Sequence, residues 1–176
     1  MKTCGISKRW TLWSWWVLLG SLTIWGCSGG YSFTGASIPP QAKTVCVKQF
    51  PNYAPTVNPQ LSQQFSDALR NLFSSQTPLT VVSSEGDLHI EGEITDYRTQ
   101  ASAVSSGDEV SMNRLTIGIK VRFTNRYDEE ADFEQSFSRY RDYNAQQDFA
   151  SVESALVEQI VNELIEDVFN KAVVNW

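Results

Sequence analysis

The chain predicts an α+β fold: a two-layer sandwich in which a mixed or antiparallel β-sheet of about four to five strands carries two α-helices on one face. Two long stretches set apolar residues on one helical face, and several shorter stretches alternate apolar and polar residues with period two. Their order is strand, helix, three or four antiparallel strands, helix. A sheet with one apolar face needs a cover, and two amphipathic helices supply one.

Lys43 to Gln49 alternates, with Val45 and Val47 in phase, and reads as a strand. Pro51, Pro55 and Pro59 mark a loop. A helix follows from about Pro59 to Ser74, with proline suited to its first turn. Its stripe is Leu61, Phe65, Ala68, Leu69, Leu72 and Phe73. Pro78 follows its end, Leu79 to Val82 is a short strand, and Ser84 to Asp87 is a turn. Leu88, Ile90, Gly92 and Ile94 then alternate with His89, Glu91, Glu93 and Thr95. The clearest period-two run is Leu115, Ile117, Ile119, Val121 and Phe123 against Thr116, Gly118, Lys120, Arg122 and Thr124. Gln100 to Met112, rich in Ser and Ala, reads as the connection between these two strands, with Ala101 to Ser111 as a contact loop or hairpin tip. A turn at Asn125 to Glu130 leads to a strand over Phe133 to Tyr143.

The last element is a helix from about Phe149 to Val174, with Val152, Ala155, Leu156, Ile160, Leu164, Val168 and Phe169 as its stripe. Glu153, Glu158, Glu163 and Glu166 are expected to be mostly solvated. Clean alternation leaves the second sheet face polar. Tyr97, Tyr140 and Tyr143 are assigned to that polar face, either as interface anchors or as cross-strand packing.

The N-terminus reads as an export signal. Lys2, Lys8 and Arg9 precede a short apolar run from Trp10 to Ile24. A spanning helix needs ~20 mostly apolar residues, and this run is shorter and diluted by Ser14, Gly20, Ser21 and Thr23. Ile24 and Gly26 before Cys27 make a lipobox. Residues 1–26 are therefore read as a cleaved lipoprotein signal, 27–42 as an acylated lead-in with lipidation at Cys27, and 43–176 as one domain. An uncleaved anchor or plain secretion are the other readings of the leader. Losing its three positive charges takes the net charge from −6 to −9. That acidity argues against nucleic acid as a partner and against electrostatic membrane attachment, which leaves the lipid as anchor.

Cys4 leaves with the signal and Cys46 remains, flanked by Val45 and Val47, as a buried thiol. One such cysteine and the single His89 do not make a zinc site, and no cofactor is expected. His89 lies on the polar phase of its strand with no nucleophile elbow in the chain. Glu91 and Glu93 share its face, where exposed carboxylates are commoner than a glycosidase pair. The expectation is that the protein is not an enzyme.

The stretch Gly26-Cys27 followed by Tyr31-Ser32-Phe33-Thr34-Gly35-Ala36-Ser37-Ile38-Pro39 resembles the start of the LptE family of LPS-assembly lipoproteins, in its Bacteroidetes-type form. Phe133 to Tyr140 and Asp167 to Trp176 are similar to that group too, in the right order along essentially the whole mature chain. The resemblance implies a sheet with two helices on one side. It implies an outer-membrane, lipid-anchored protein, facing the periplasm or lying within a barrel lumen. Its partner would be the LptD-type β-barrel translocon, which it plugs and helps assemble, aiding lipopolysaccharide transport. A different lipoprotein adaptor, such as a secretin pilotin, or a periplasm-facing ligand-binding module is the alternative. Direct lipopolysaccharide binding would need cations. Lys120 and Arg122 share one strand face, and Arg139 and Arg141 share one phase of the next strand. Arginine forks match phosphate geometry, and cross-strand pairing with Glu91, Glu93 or Glu134 is the competing role.

Overall fold

The computed structural model of the chain describes residues 38–56, 58–103 and 111–173. Five strands and two long helices follow in the order β1 (Thr44–Val47), α1 (Leu61–Gln76), β2 (Thr80–Val82), β3 (Leu88–Ala103), β4 (Met112–Asn125), β5 (Phe133–Asn144) and α2 (Phe149–Val173). The sheet order is β2-β1-β3-β4-β5. β1 lies parallel to both neighbours, while β3, β4 and β5 form an antiparallel meander. The expected α+β sandwich is therefore present with a mixed sheet. The strands after the first helix are not all antiparallel, because β2 returns beside β1 in the same direction.

Both helices cover one face. Phe73 of α1 and Phe169 of α2 meet edge to face with ring centroids 5.0 Å apart. Their stripes join Val45, Val47, Leu88, Ile90, Leu115, Ile117, Ile119, Val121 and Phe123 in one core. Local chemistry sets the ends of α1. The Asn58 side chain accepts from the Gln60 amide at 3.0 Å, and the Thr77 hydroxyl donates to the Phe73 carbonyl at 2.7 Å before Pro78. Gly92 is required by close approach. A Cβ there would stand 2.2 Å from the Lys120 carbonyl oxygen and 2.5 Å from Cε1 of Phe50, whose ring is fully buried.

Asp87 ties three segments together at the start of β1. One carboxylate oxygen accepts from the Lys43 amide at 2.9 Å, the Thr44 amide at 3.1 Å and the Thr44 hydroxyl at 2.9 Å. The other accepts from the Tyr127 hydroxyl at 3.2 Å. These donors, led by the Lys43 amide, hold the Asp87 carboxyl below its usual range.

Two of the three tyrosines assigned to the polar face lie in the core instead. Tyr97 is 3% exposed, because the register of β3 shifts between Ile94 and Asp96. That extra residue changes which side chains face the helices, and Tyr97 falls into phase with Ile94. Its hydroxyl donates to Glu153 of α2, and Asn58 donates to the same Glu153 oxygen at 2.9 Å. Burial is the first cause, and the Glu153 bond the second, of a strong rise in the Tyr97 pKa. Tyr143 is buried against Phe149, with centroids 5.6 Å apart. Tyr140 remains on the open face and is exposed. Cys46 is a buried free thiol. β3 and β4 continue the hairpin beyond the expected limits, to Ala103 and from Met112, and residues 104–110 of the expected contact loop lie outside the described residues.

Candidate functional site

The sheet face away from the helices is tiled with charge. Lys120 stands opposite Glu93 on β3 and Ser136 on β5, and Arg122 stands opposite Glu91 and Glu134. The Lys120 ammonium lies 2.5 Å from a Glu134 oxygen, and the Arg122 guanidinium 3.8 Å from Glu91. Glu91 also faces Nε2 of His89 at 3.4 Å. The Glu134 bond raises the Lys120 pKa, and the same bond lowers that of Glu134. Beyond the end of β1, Lys48, Glu91, Glu93, Lys120, Arg122 and Glu134 border an open groove of about 410 Å³. Exposed pairs of this kind contribute little net energy. Lys120 and Arg122 can therefore exchange their partners for a more highly charged anion at small cost.

Further along the same face, Arg114 holds Asp142 through two bonds of 2.7 and 2.9 Å and lies 3.7 Å from the centroid of the Tyr140 ring. The bond to Asp142 raises the Arg114 pKa and lowers that of Asp142. This trio went unnoticed in the sequence, although Arg114, Tyr140 and Asp142 share the outward phase of neighbouring strands.

Arg139 and Arg141 lie on the other side of the sheet. Arg139 grips Asp167 of α2 through two bonds of 2.7 Å, the first cause of its raised pKa. Arg141 bonds Glu163 of α2 and donates to the Gln159 side chain at 3.1 Å. The four cations are thus two pairs on opposite faces. Lys120 and Arg122 meet strand carboxylates, as cross-strand pairing predicts, whereas Arg139 and Arg141 stitch a strand to a helix. Glu153 and Glu163 are correspondingly tied down, while Glu158 and Glu166 are exposed.

Among the described residues no group of three or more His, Cys, Asp or Glu side chains is arranged to hold a metal, and no helix is long and apolar enough to cross a membrane. Cys27 lies outside them.

No curated protein matches the chain in sequence. Solved structures share its fold. A hypothetical protein from Chlamydia trachomatis is 8% identical with a TM-score of 0.53, the match covering 76% of this chain and 99% of that one. A protein from Xanthomonas campestris is 12% identical with a TM-score of 0.53, covering 76% and 88%. At these identities the likeness is one of fold. The family model described as LptE, lipopolysaccharide-assembly, matches residues 42–172, the span from just before β1 to the last turn of α2. The chain belongs to the LptE lipopolysaccharide-assembly family.

Proposed function

We propose that this protein is an outer-membrane lipoprotein that plugs an LptD-type β-barrel translocon, assists its assembly and aids lipopolysaccharide transport to the outer leaflet. The observation that carries this reading is the family match across the whole described fold. Residues 1–26 are removed as a signal peptide, Cys27 is acylated, and 43–176 fold as the plug. Several acyl chains at Cys27 give an anchor that one chain does not, at about 0.8 kcal/mol per buried methylene. The role is one of binding, with no catalytic step. The surface supports it: a polar, ion-paired sheet face suits a wet lumen wall, with Tyr140 exposed as an anchor.

Lipopolysaccharide phosphates are met by Lys120 and Arg122 on the open face, and by Arg139 and Arg141 where β5 meets α2. The first pair is the more available, since its partners are exposed strand glutamates.

The test is mass spectrometry of the mature N-terminus together with identification of proteins that co-purify after membrane solubilisation. A lipid-modified Cys27 and a barrel of the lipopolysaccharide-transport type are expected. An unmodified Cys27 overturns the anchor, and a secretin in place of that barrel overturns the plug.

A further inference from the structure

β5 ends the sheet, and no strand covers its outer edge among the described residues. A twelve-residue edge offers a row of backbone donors and acceptors to any chain that lies alongside. Next to that edge runs an open groove of about 410 Å³, bordered by Phe137, Ser138 and Arg139 of β5 and by Asp167, Asn170 and Lys171 of α2. A sheet edge with a groove between it and a helix is the arrangement that takes an added strand, the backbone pairing with the edge and alternate side chains entering the groove.

The groove also says what kind of strand fits. The half-buried Phe137 is its apolar member. Arg139 and Asp167 neutralise each other through their twofold bond. Lys171 has no carboxylate within ion-pair distance among the described residues, and its ammonium lies 5.8 Å from the Phe133 ring centroid. The uncompensated charge is positive, on a protein that is negative as a whole. We infer that the β5–α2 groove binds an extended, acidic strand of a partner polypeptide by strand addition, with an apolar side chain over Phe137 and a carboxylate at Lys171. This contact lies on the helix side of the sheet, away from the open face, and shares only Arg139 with the phosphate contacts proposed above; strand addition is read from backbone amides, so its failure is distinct from failure of the barrel-plug reading.

The probe is an acetylated, amidated octapeptide alternating valine with aspartate and threonine, titrated into the full mature chain. Binding is followed by fluorescence anisotropy and by hydrogen exchange of backbone amides. The expected result is slowed exchange in Gln135 to Arg141 and not in β2. N-methylation of the peptide at alternate amides should weaken binding by about tenfold, as loss of backbone hydrogen bonds predicts. Lys171→Glu, which lies outside the core, should weaken the acidic peptide by roughly threefold or more, while a lysine-containing analogue gains. Unchanged exchange in β5, equal binding by the N-methylated peptide, or a concentration-dependent dimer that competes with the peptide each overturns the proposal.

Discussion

Tyr97→Phe isolates one oxygen in the core. The ring is retained, so the packing against α2 and the helix-facing strand residues is unchanged, and only the hydroxyl bonded to Glu153 is lost. Glu153 then keeps a single described donor, Asn58 at 2.9 Å. A hydrogen bond to a charged group contributes about 1.5–3 kcal/mol. Because Glu153 is only half-buried and water can reach it, we expect the lower half of that range, about 1.5–2 kcal/mol. For a domain of this length that lowers Tm by roughly 3–8 °C. Urea unfolding followed by circular dichroism at two protein concentrations gives the number without a ligand. The same reasoning makes Tyr97→Phe and Glu153→Gln strongly non-additive, since both remove one bond. A Tyr97→Phe chain with an unchanged midpoint, or strict additivity of the two substitutions, would refute the assignment of Tyr97 to the core network.

Gly92→Ala should cost about 1–3 kcal/mol by overpacking, since its methyl meets the Lys120 carbonyl and the Phe50 ring; thermal unfolding measures it. Acid should destabilise the fold through Asp87, Glu134 and Asp142, all held below their usual pKa. A depressed folded pKa contributes stability that is present above the unfolded value near 4 and is lost as pH falls through the folded value. Urea midpoints should therefore decline from about pH 5 downward, and Asp87→Asn should flatten that decline. Arg139→Ala with Asp167→Ala should show a coupling of about 0.5–1 kcal/mol in a double-mutant cycle. Lys120→Ala with Arg122→Ala should leave stability nearly unchanged yet weaken binding to vesicles containing lipopolysaccharide.

The helices and the inner face of β4 were legible because their periodicity is unbroken over many residues. Val47, Leu88, Ile117 and Phe169 are in the core where the pattern places them. The tyrosines show where it stops. A bulge has no composition of its own, and Thr95 continues the alternation of β3 as though nothing intervened, so Tyr97 looked outward. β5 misleads for a different reason. At a sheet edge the inward positions need not be apolar, and Arg139 and Arg141 occupy the same phase as Phe133, Phe137 and Tyr143. A signal did exist. Asp167 and Glu163 are four apart on a helix, about 6 Å along its axis, and Arg139 and Arg141 are two apart on a strand, about 6.8 Å. Two ladders of opposite charge with nearly equal rungs foretell a strand lying beside a helix. The parallel pairing of β2 had no such signal, since three residues carry too little pattern to reveal direction.

The place of β1 in the sheet also has a mechanical meaning. It is the first of the described strands, yet it runs between β2 and β3 rather than along a margin, and the Asp87 carboxylate clasps the amides of Lys43 and Thr44 where it begins. A pull on the chain from its N-terminal side therefore loads the hydrogen bonds to both neighbours together, in shear. A strand at the margin would instead peel away one bond at a time. The domain is built to bear tension at the end from which its chain enters.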